Sequence, residues 1–248
     1  IASLQEHFAP FRANIIGSNQ DFESPYGRQT ILYADWTASG RMFGPIEQML
    51  SREIAPFIGN THTEASVTGT TMTRAYHEAR RIIKEHVNAS QEDAIICHGS
   101  GMTSVVNKFQ RILGLRLHED FRDQVSIPTQ ERPVVFVTHM EHHSNQTSWI
   151  ESIAEVRVIN ADADGLVDLS HLATLLEECR DRRVKLAAVT SCSNVTGILT
   201  PYHAIAGLMH RAGGKCFVDF AASAPYIAID MHPADDPDGW LDAIYFSP

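Results

Sequence analysis

The sequence has few cysteines, no long apolar run and no excess of basic residues. The four cysteines are spread over 248 residues and form no Cys-x-x-Cys pair, which argues against a zinc site and a disulfide framework. No apolar run reaches the roughly 18 residues of a membrane-spanning helix, and the N-terminus lacks a basic region followed by an apolar core. The formal net charge of -10 leaves no basic surface for nucleic acid or an anionic membrane. We therefore expect a cytoplasmic globular protein with reduced thiols.

Short apolar runs rich in β-branched residues alternate with segments of helical periodicity along most of the chain. This pattern predicts an α/β fold in three layers, with a mostly parallel sheet between helices. The predicted strands are 31–34, 94–98, 134–138, 156–159, 186–191, 216–219 and 243–246. The predicted helices begin near Pro45, Thr70 or Thr71, Ser104, Leu169 and Pro201. Residues 1–30 are predicted to form an N-terminal helix and loop, and residues 31–248 one large domain.

Polar residues follow five of the predicted strands at the point where each strand ends. In an open parallel sheet, ligands bind outside the carboxyl ends of the strands. Loops from several strands would therefore meet at one edge of the sheet and form a binding site. The segments concerned are 98–104, 139–145, 192–197, 219–223 and Ser247.

The glycine-rich segment 99–104 is predicted to lead directly into a helix. Such a turn directs backbone N–H groups and the positive end of the helix dipole towards an anion, and a phosphate group suits it well. The alternative is a tight turn in which the glycines only avoid steric clashes.

Asp219 ends a predicted strand and follows three apolar residues. A carboxylate in such surroundings needs a cationic or hydrogen-bonding partner, because burying an unpaired charge is costly. The alternative is an Asp that caps the turn after the strand.

The cluster His139, Glu141, His142 and His143 has two functional interpretations besides a surface loop. Imidazole and carboxylate groups bind metals, which would suit a metal-dependent hydrolase. A histidine in this loop could instead stack on a flat ligand ring. The cluster lacks the helical HExxH spacing, so stacking is the favoured interpretation.

Six segments, taken together and in order, resemble the motifs of the class V aminotransferase and cysteine desulfurase family. Members of this family use pyridoxal 5'-phosphate (PLP). The resemblance implies the PLP-dependent transferase fold, an amino acid as substrate, and a homodimer in which two chains complete each site. The segments are 33–41, 99–107, 140–149, 190–197, 216–223 and 242–248.

The resemblance also implies a role for individual residues. Gly101, Met102 and Thr103 correspond to the phosphate-binding turn, and Ser247 to a serine near the phosphate. His142 corresponds to the histidine that stacks on the ring, Asn194 to the asparagine near the ring hydroxyl, and Asp219 to the partner of the ring nitrogen. His142 and Asp219 are thus the expected catalytic residues, and no metal is expected.

Two positions depart from the family pattern. Met102 stands where a threonine is common, so one hydrogen bond to the phosphate is missing. Ala222 stands where desulfurases commonly have a glutamine, which weakens the desulfurase assignment relative to the aminotransferase one.

The resemblance places the lysine that forms the Schiff base just after Ser247, beyond the residues of this chain. We therefore expect the chain to be incomplete at its C-terminal end, to lack the small C-terminal domain and to be inactive by itself. None of its four lysines fits the role: Lys84, Lys108, Lys185 and Lys215.

The functional expectation is a PLP-dependent enzyme acting on an amino acid, either a cysteine desulfurase-like lyase or a class V aminotransferase or epimerase. The alternatives are a metal-dependent hydrolase built on the histidine cluster, or a non-catalytic dimerisation or binding module. The residues that would select the substrate are expected to lie mostly outside this chain.

Overall fold

The computed structural model describes residues 3–99, 101–122 and 124–247. Ser100 and Pro248, which belong to two of the six motifs, lie outside these described residues. The chain divides into two compact units, residues 1–82 and 83–248.

The first unit combines helices with a small hairpin. Its first helix is capped by Ser3, whose side chain accepts the N–H of Glu6 while the Glu6 carboxylate accepts the N–H of Ser3. A π-helical turn (Leu50–Ile54) and a 3-10 turn (Ala55–Phe57) extend the second helix. The elements are α1 (Leu4–Ala13), β1 (Asp21–Ser24), β2 (Gly27–Thr30), α2 (Gly44–Met49) and the start of α3 (Val67–His86).

The strand predicted at 31–34 is wrong. The hairpin strand β2 ends at Thr30, which pairs with Asp21, and one further bond joins Ile31 N–H to the carbonyl of Gln20. Beyond Ile31 the partner strand has ended, so the apolar residues that follow have no ladder to join.

The second unit is built on a five-stranded parallel sheet with the strand order β4-β3-β5-β6-β7. A 3-10 turn (Thr129–Glu131) precedes the first strand. This architecture confirms the predicted α/β fold class. The elements are α4 (Met102–Ile112), α5 (Glu119–Arg122), β3 (Val134–Thr138), α6 (His143–Ile150), β4 (Glu155–Ile159), α7 (Leu169–Glu178), β5 (Lys185–Thr190), α8 (Tyr202–Arg211), β6 (Lys215–Asp219) and β7 (Ala243–Tyr245).

The sheet buries both of its faces, which explains why its central strands are almost continuously apolar. Leu172 of α7 and Ile205 of α8 pack on one face, while Val106 of α4 and Trp149 of α6 pack on the other. All four side chains are fully buried, and each contributes about 1.5–3 kcal/mol to stability by leaving water. Among the described residues, no helix is long and apolar enough to cross a membrane.

The strand predicted at 94–98 is also wrong. Although Ile95 and Ile96 belong to an apolar run, this segment has no strand partner within the described part of the chain. Ile96 is correspondingly 46% exposed. The other five predicted strands of the sheet are confirmed, because each of them has a hydrogen-bonded neighbour.

A polar cluster stabilises the amino ends of β6 and β7. The His210 ring lies with Nδ1 2.6 Å from the carbonyl oxygen of Asp238 and Nε2 2.9 Å from Oδ2 of Asp242. Its ring stacks on Trp240 with centroids 4.3 Å apart, and Lys215 Nζ lies 2.9 Å from Oδ1 of Asp242. His210 of α8 and Lys215 of β6 are thus joined to the segment that leads into β7.

Candidate active site

The carboxyl ends of the parallel strands form the edge of the sheet at which the polar segments were predicted to meet. The chain passes from β3 outwards to β4 and then returns to place β5 on the other side of β3. The boundary between β3 and β5 is therefore the topological switch point, where α/β sheets bind ligands. Hydrogen bonds hold the other strand ends together, from Ser191 N–H to the Asp219 carbonyl and from Phe220 N–H to the Tyr245 carbonyl, each 2.8 Å.

Asp219 is the last residue of β6 and is only 3% exposed. Its Oδ1 accepts the N–H of Ala221 at 2.8 Å, so the predicted turn-capping role is present. Burial raises the pKa of Asp219 to about 6, and no cation among the described residues opposes that shift. The site thus contains a buried carboxyl group that lacks a positive partner.

The glycine-rich turn leads into α4 as predicted. Gly99 has a φ of +64°, and a Cβ at this position would overlap the Ser104 hydroxyl. Gly101 precedes the helix, and a Cβ built on it would meet nothing within 4 Å. Among the described residues, no side-chain hydrogen bond caps the first turn of α4, so its N–H groups suit an anion.

The side chains of the first two residues of α4 point to different surroundings. Met102 is buried in the core with Val106, so it contributes packing and its backbone N–H rather than a side-chain hydrogen bond. Thr103 is exposed.

The three histidines after β3 are held differently. His142 is exposed and caps α6, its Nδ1 accepting the N–H of Ser144 at 3.2 Å. The same nitrogen lies 2.8 Å from the Ser144 hydroxyl, and these two contacts fix the orientation of the ring. His139 Nε2 instead lies 3.1 Å from the carbonyl of Gly165, and His143 is exposed at the start of α6.

Glu141 lies between these histidines and takes part in a hydrogen-bond network. Its carboxylate accepts hydrogen bonds from Thr138, Thr190 and Asn145. No three His, Cys, Asp or Glu side chains of the described ranges come close enough together to hold a metal ion. The structure therefore gives no support to the metal-dependent hydrolase.

The remaining predicted binding residues follow β5 and β7. Asn194 is exposed in the loop after β5, where the Ser193 hydroxyl accepts the N–H groups of Val195 and Thr196. Ser247 is exposed just beyond β7.

A cavity of about 610 Å³ lies beside β7. Gly99, Gly101 and Ser247 all line it, together with apolar side chains that include Phe109 and Phe246. The structure therefore brings the glycine-rich turn and the end of β7 to the same space.

Two of the lysines lie at the opposite edge of the sheet. Lys185 and Lys215 are the first residues of β5 and β6, roughly 13–17 Å along the strands from their carboxyl ends. Lys185 is buried and donates to the carbonyls of Arg180 and Arg182. Neither lysine can reach a ligand at the carboxyl edge without leaving its partners.

Sequence reasoning missed two features of this edge. The Glu141 network joins residues 49 positions apart, so no local pattern reveals it. Tyr245 pairs with Asp219 in the β6–β7 register, and its buried hydroxyl has no hydrogen-bond partner among the described residues. The apolar run 243–246 predicted only a buried strand there.

Comparison with known proteins gives a consistent result. The family model described as aminotransferase class V matches residues 32–247. A cysteine desulfurase from Synechococcus elongatus is 29% identical over 180 residues, covering 71% of this chain and 26% of the relative. A probable cysteine desulfurase from Halalkalibacterium halodurans is 27% identical over 205 residues, covering 81% of this chain and 47% of the relative.

Solved structures share the fold at lower identity. The apo cysteine desulfurase from Thermococcus onnurineus NA1 superimposes with a TM-score of 0.69 at 18% identity, over 96% of this chain and 52% of that one. The chain thus spans between about a quarter and a half of the length of the proteins it matches.

Proposed function

This chain belongs to the class V aminotransferase family, and on that premise we propose that its carboxyl edge binds pyridoxal 5'-phosphate in an enzyme that acts on an amino acid. When bound, PLP supplies an electron-withdrawing ring that stabilises negative charge developing on the substrate. The residues of this chain bind and orient that ring.

The observation that carries the proposal is the environment of Asp219. Its carboxyl group is buried, has a raised pKa and has no cationic partner among the described residues. A protonated ring nitrogen supplies the missing positive charge, and the pair then stabilises both partners. Asp219 would hold a proton on that nitrogen, which is what makes the ring electron-withdrawing.

The other predicted residues fit the remaining parts of the cofactor. Gly101, Met102 and Thr103 open α4, whose uncapped N–H groups suit a phosphate, and Ser247 lines the same cavity as Gly101. His142 offers an exposed ring for stacking, and Asn194 an exposed amide for the ring hydroxyl.

Two reactions are consistent with this site. The named relatives support a cysteine desulfurase-like lyase, whereas Ala222, in place of the glutamine common in desulfurases, favours a class V aminotransferase. Measuring sulfide release from cysteine, and amino transfer to a 2-oxo acid, in the longest natural protein that contains this chain separates the two. We also propose that this protein is a cytoplasmic homodimer, in keeping with the family and with its net charge of -10.

The proposal is tested by titrating PLP into the chain and following its absorption spectrum. Asp219→Asn keeps the shape of the side chain but removes its charge, and we expect PLP affinity to fall about 100-fold or more. Asp181→Asn makes the same change on a side chain that is 95% exposed and should leave the affinity unchanged. If Asp219→Asn binds PLP as tightly as the wild type, the proposed role of Asp219 is wrong.

A further inference from the structure

The two strands at the switch point separate before they end. β3 and β5 pair from Val134 with Lys185 to Phe136 with Ala187, yet β3 continues to Thr138 and β5 to Thr190. The neighbouring pair β5–β6 keeps its register to the last residue, with Thr190 beside Asp219. The ladder is therefore interrupted at the edge where the ligand is proposed to bind.

The Glu141 carboxylate bridges the separated ends. Its Oε1 accepts the Thr138 N–H at 3.2 Å, the Thr138 hydroxyl at 2.6 Å and the Thr190 N–H at 2.9 Å. Its Oε2 accepts Nδ2 of Asn145 at 2.7 Å, and that nitrogen also donates to the carbonyl of Ala188. Side chains thus replace the backbone bonds that the separation removes.

The orientation of Asn145 requires an acceptor at Glu141. Oδ1 of Asn145 accepts Nε1–H of the buried Trp149 at 3.1 Å, and an indole nitrogen only donates. The amide nitrogen of Asn145 must therefore face Glu141. A glutamine at position 141 would direct its own NH2 either at this nitrogen or at the Thr138 and Thr190 N–H groups.

His142 lies between two anchors that both end on β5. On its N-terminal side, Glu141 binds Thr190; on its C-terminal side, Asn145 binds Ala188. The His142 ring is itself fixed by Ser144. The exposed imidazole is consequently held in a turn that is bonded to β5 on both sides of His142, beside the switch point.

We propose that Glu141 is a positioning residue, whose carboxylate joins the separated ends of β3 and β5 and thereby holds His142 in place for the cofactor ring. This inference rests on the proposed PLP site, because it assigns a role to the support of His142. It assigns Glu141 no contact with substrate or cofactor.

The electrostatics of the carboxyl group are consistent with this role. Burial raises the pKa of Glu141 to about 7, although four hydrogen bonds act in the opposite direction. The titratable groups around it are His139, His142 and His143 in its own loop, and Cys216 and Asp219 on β6. If Glu141 is protonated near neutral pH, the Thr138 hydroxyl is the one of its hydrogen-bond partners among the described residues that can accept the proton, because the others are N–H groups that donate.

The first test is made on the chain without cofactor. In wild-type protein, NMR should show the amide protons of Thr138 and Thr190 shifting together with pH, because both bind one titrating carboxylate. In Glu141→Gln the amide of Thr190 should exchange with solvent about ten- to a hundredfold faster, as expected when a buried charged acceptor is lost. Glu177→Gln, on an exposed side chain, should change neither.

The second test measures PLP affinity and the imidazole resonances of His142. Glu141→Asp keeps the charge but is one methylene too short to reach both strands, so it should weaken PLP binding about tenfold and broaden the His142 resonances. If Glu141→Gln does not fold, the Glu141→Asp variant and the pH titration of the wild-type amides still test the positioning role.

The outcomes separate this inference from the proposed function. Amides of Thr138 and Thr190 that titrate independently, or a Glu141→Asp variant with wild-type His142 resonances and PLP affinity, would overturn the positioning role. Failure of PLP to bind to the wild-type chain and to the longest natural protein that contains it, with the amide titration intact, would instead overturn the cofactor assignment. Glu141 would then still hold His142 in place, but not for a cofactor ring.

Discussion

Glu141 and Asp219 are two carboxyl groups at one edge of the sheet, and their hydrogen bonds distinguish their roles. The Glu141 carboxylate accepts four hydrogen bonds from groups of the protein, so its oxygens are satisfied without an external partner. Among the described residues, the Asp219 carboxyl group accepts a single hydrogen bond, from the N–H of Ala221. A buried carboxyl group that the protein leaves unsatisfied is the one suited to an external cation, whereas a satisfied one serves structure.

His142 and His143 are adjacent, but only His142 is expected to contact the cofactor ring. His142→Asn retains an acceptor that can cap α6 while removing the aromatic ring. We expect PLP affinity to fall about three- to tenfold, the range of a lost stacking contact.

His143→Asn provides the matched control and should leave the affinity unchanged. Equal effects of the two substitutions, measured by PLP titration, would contradict the assignment of stacking to His142.

The roles of residues that lie at or directly after a strand end could be predicted from the sequence. The roles of residues that form hydrogen bonds across the sheet could not. Asp219 stands out in the sequence because a charge ends an apolar run. Glu141 stands in a row of histidines and suggests a metal ligand, because its partner Thr190 is distant in sequence. The separation of β3 from β5, which creates the need for Glu141, is a property of the assembled sheet.

At the scale of elements, hydrogen-bond partners decided which apolar runs became strands. The runs at 134–138 and 216–219 have neighbours on both sides and were predicted well. The run at 94–98 has a similar composition but no strand neighbour among the described residues. The composition of a run indicates whether it tends to be buried. The topology determines whether another strand lies beside it to form hydrogen bonds.

The start of α4 depends on the conformation of Gly99. Gly99→Ala introduces a side chain at a φ of +64° and against the Ser104 hydroxyl, which displaces the turn that precedes the helix. We expect PLP and inorganic phosphate to bind about tenfold more weakly, since each lost charged hydrogen bond is worth roughly 1.5–3 kcal/mol. Isothermal titration calorimetry measures both ligands.

Gly114 offers a control at the other end of α4. It has a φ of +71°, but a Cβ there meets nothing within 4 Å. Gly114→Ala should therefore cost about 1–2 kcal/mol of backbone strain without weakening phosphate binding. If both substitutions weakened binding equally, the turn at Gly99 would have no specific role.

For the whole molecule, the buried carboxyl groups make stability depend on pH. Glu141 has a pKa raised from 4.5 to about 7, and Asp219 from 3.8 to about 6. Because the folded chain holds these protons more tightly, the stability they contribute is fully present below about pH 4. It is lost as the pH rises through 6 and 7. Each carboxyl group accounts for roughly 3 kcal/mol, from about 1.4 kcal/mol per pKa unit.

Thermal unfolding between pH 4.5 and 8 checks this expectation. Wild-type Tm should fall as the pH rises from 5 to 7, and Asp219→Asn should show a smaller fall, because the amide does not titrate. The histidines contribute equally to both proteins, so their contribution cancels in the difference between the two Tm values at each pH. A Tm difference that stays constant over this range would contradict the raised pKa of Asp219.

The three tryptophans lie in different surroundings, which has an optical consequence. Trp149 is fully buried, whereas Trp36 is 42% and Trp240 is 37% exposed. A buried indole emits at a shorter wavelength than a hydrated one, so the shortest-wavelength part of the fluorescence of the chain comes from Trp149. Because Nε1 of Trp149 donates to Asn145, that part of the emission reports on the side chains next to Glu141.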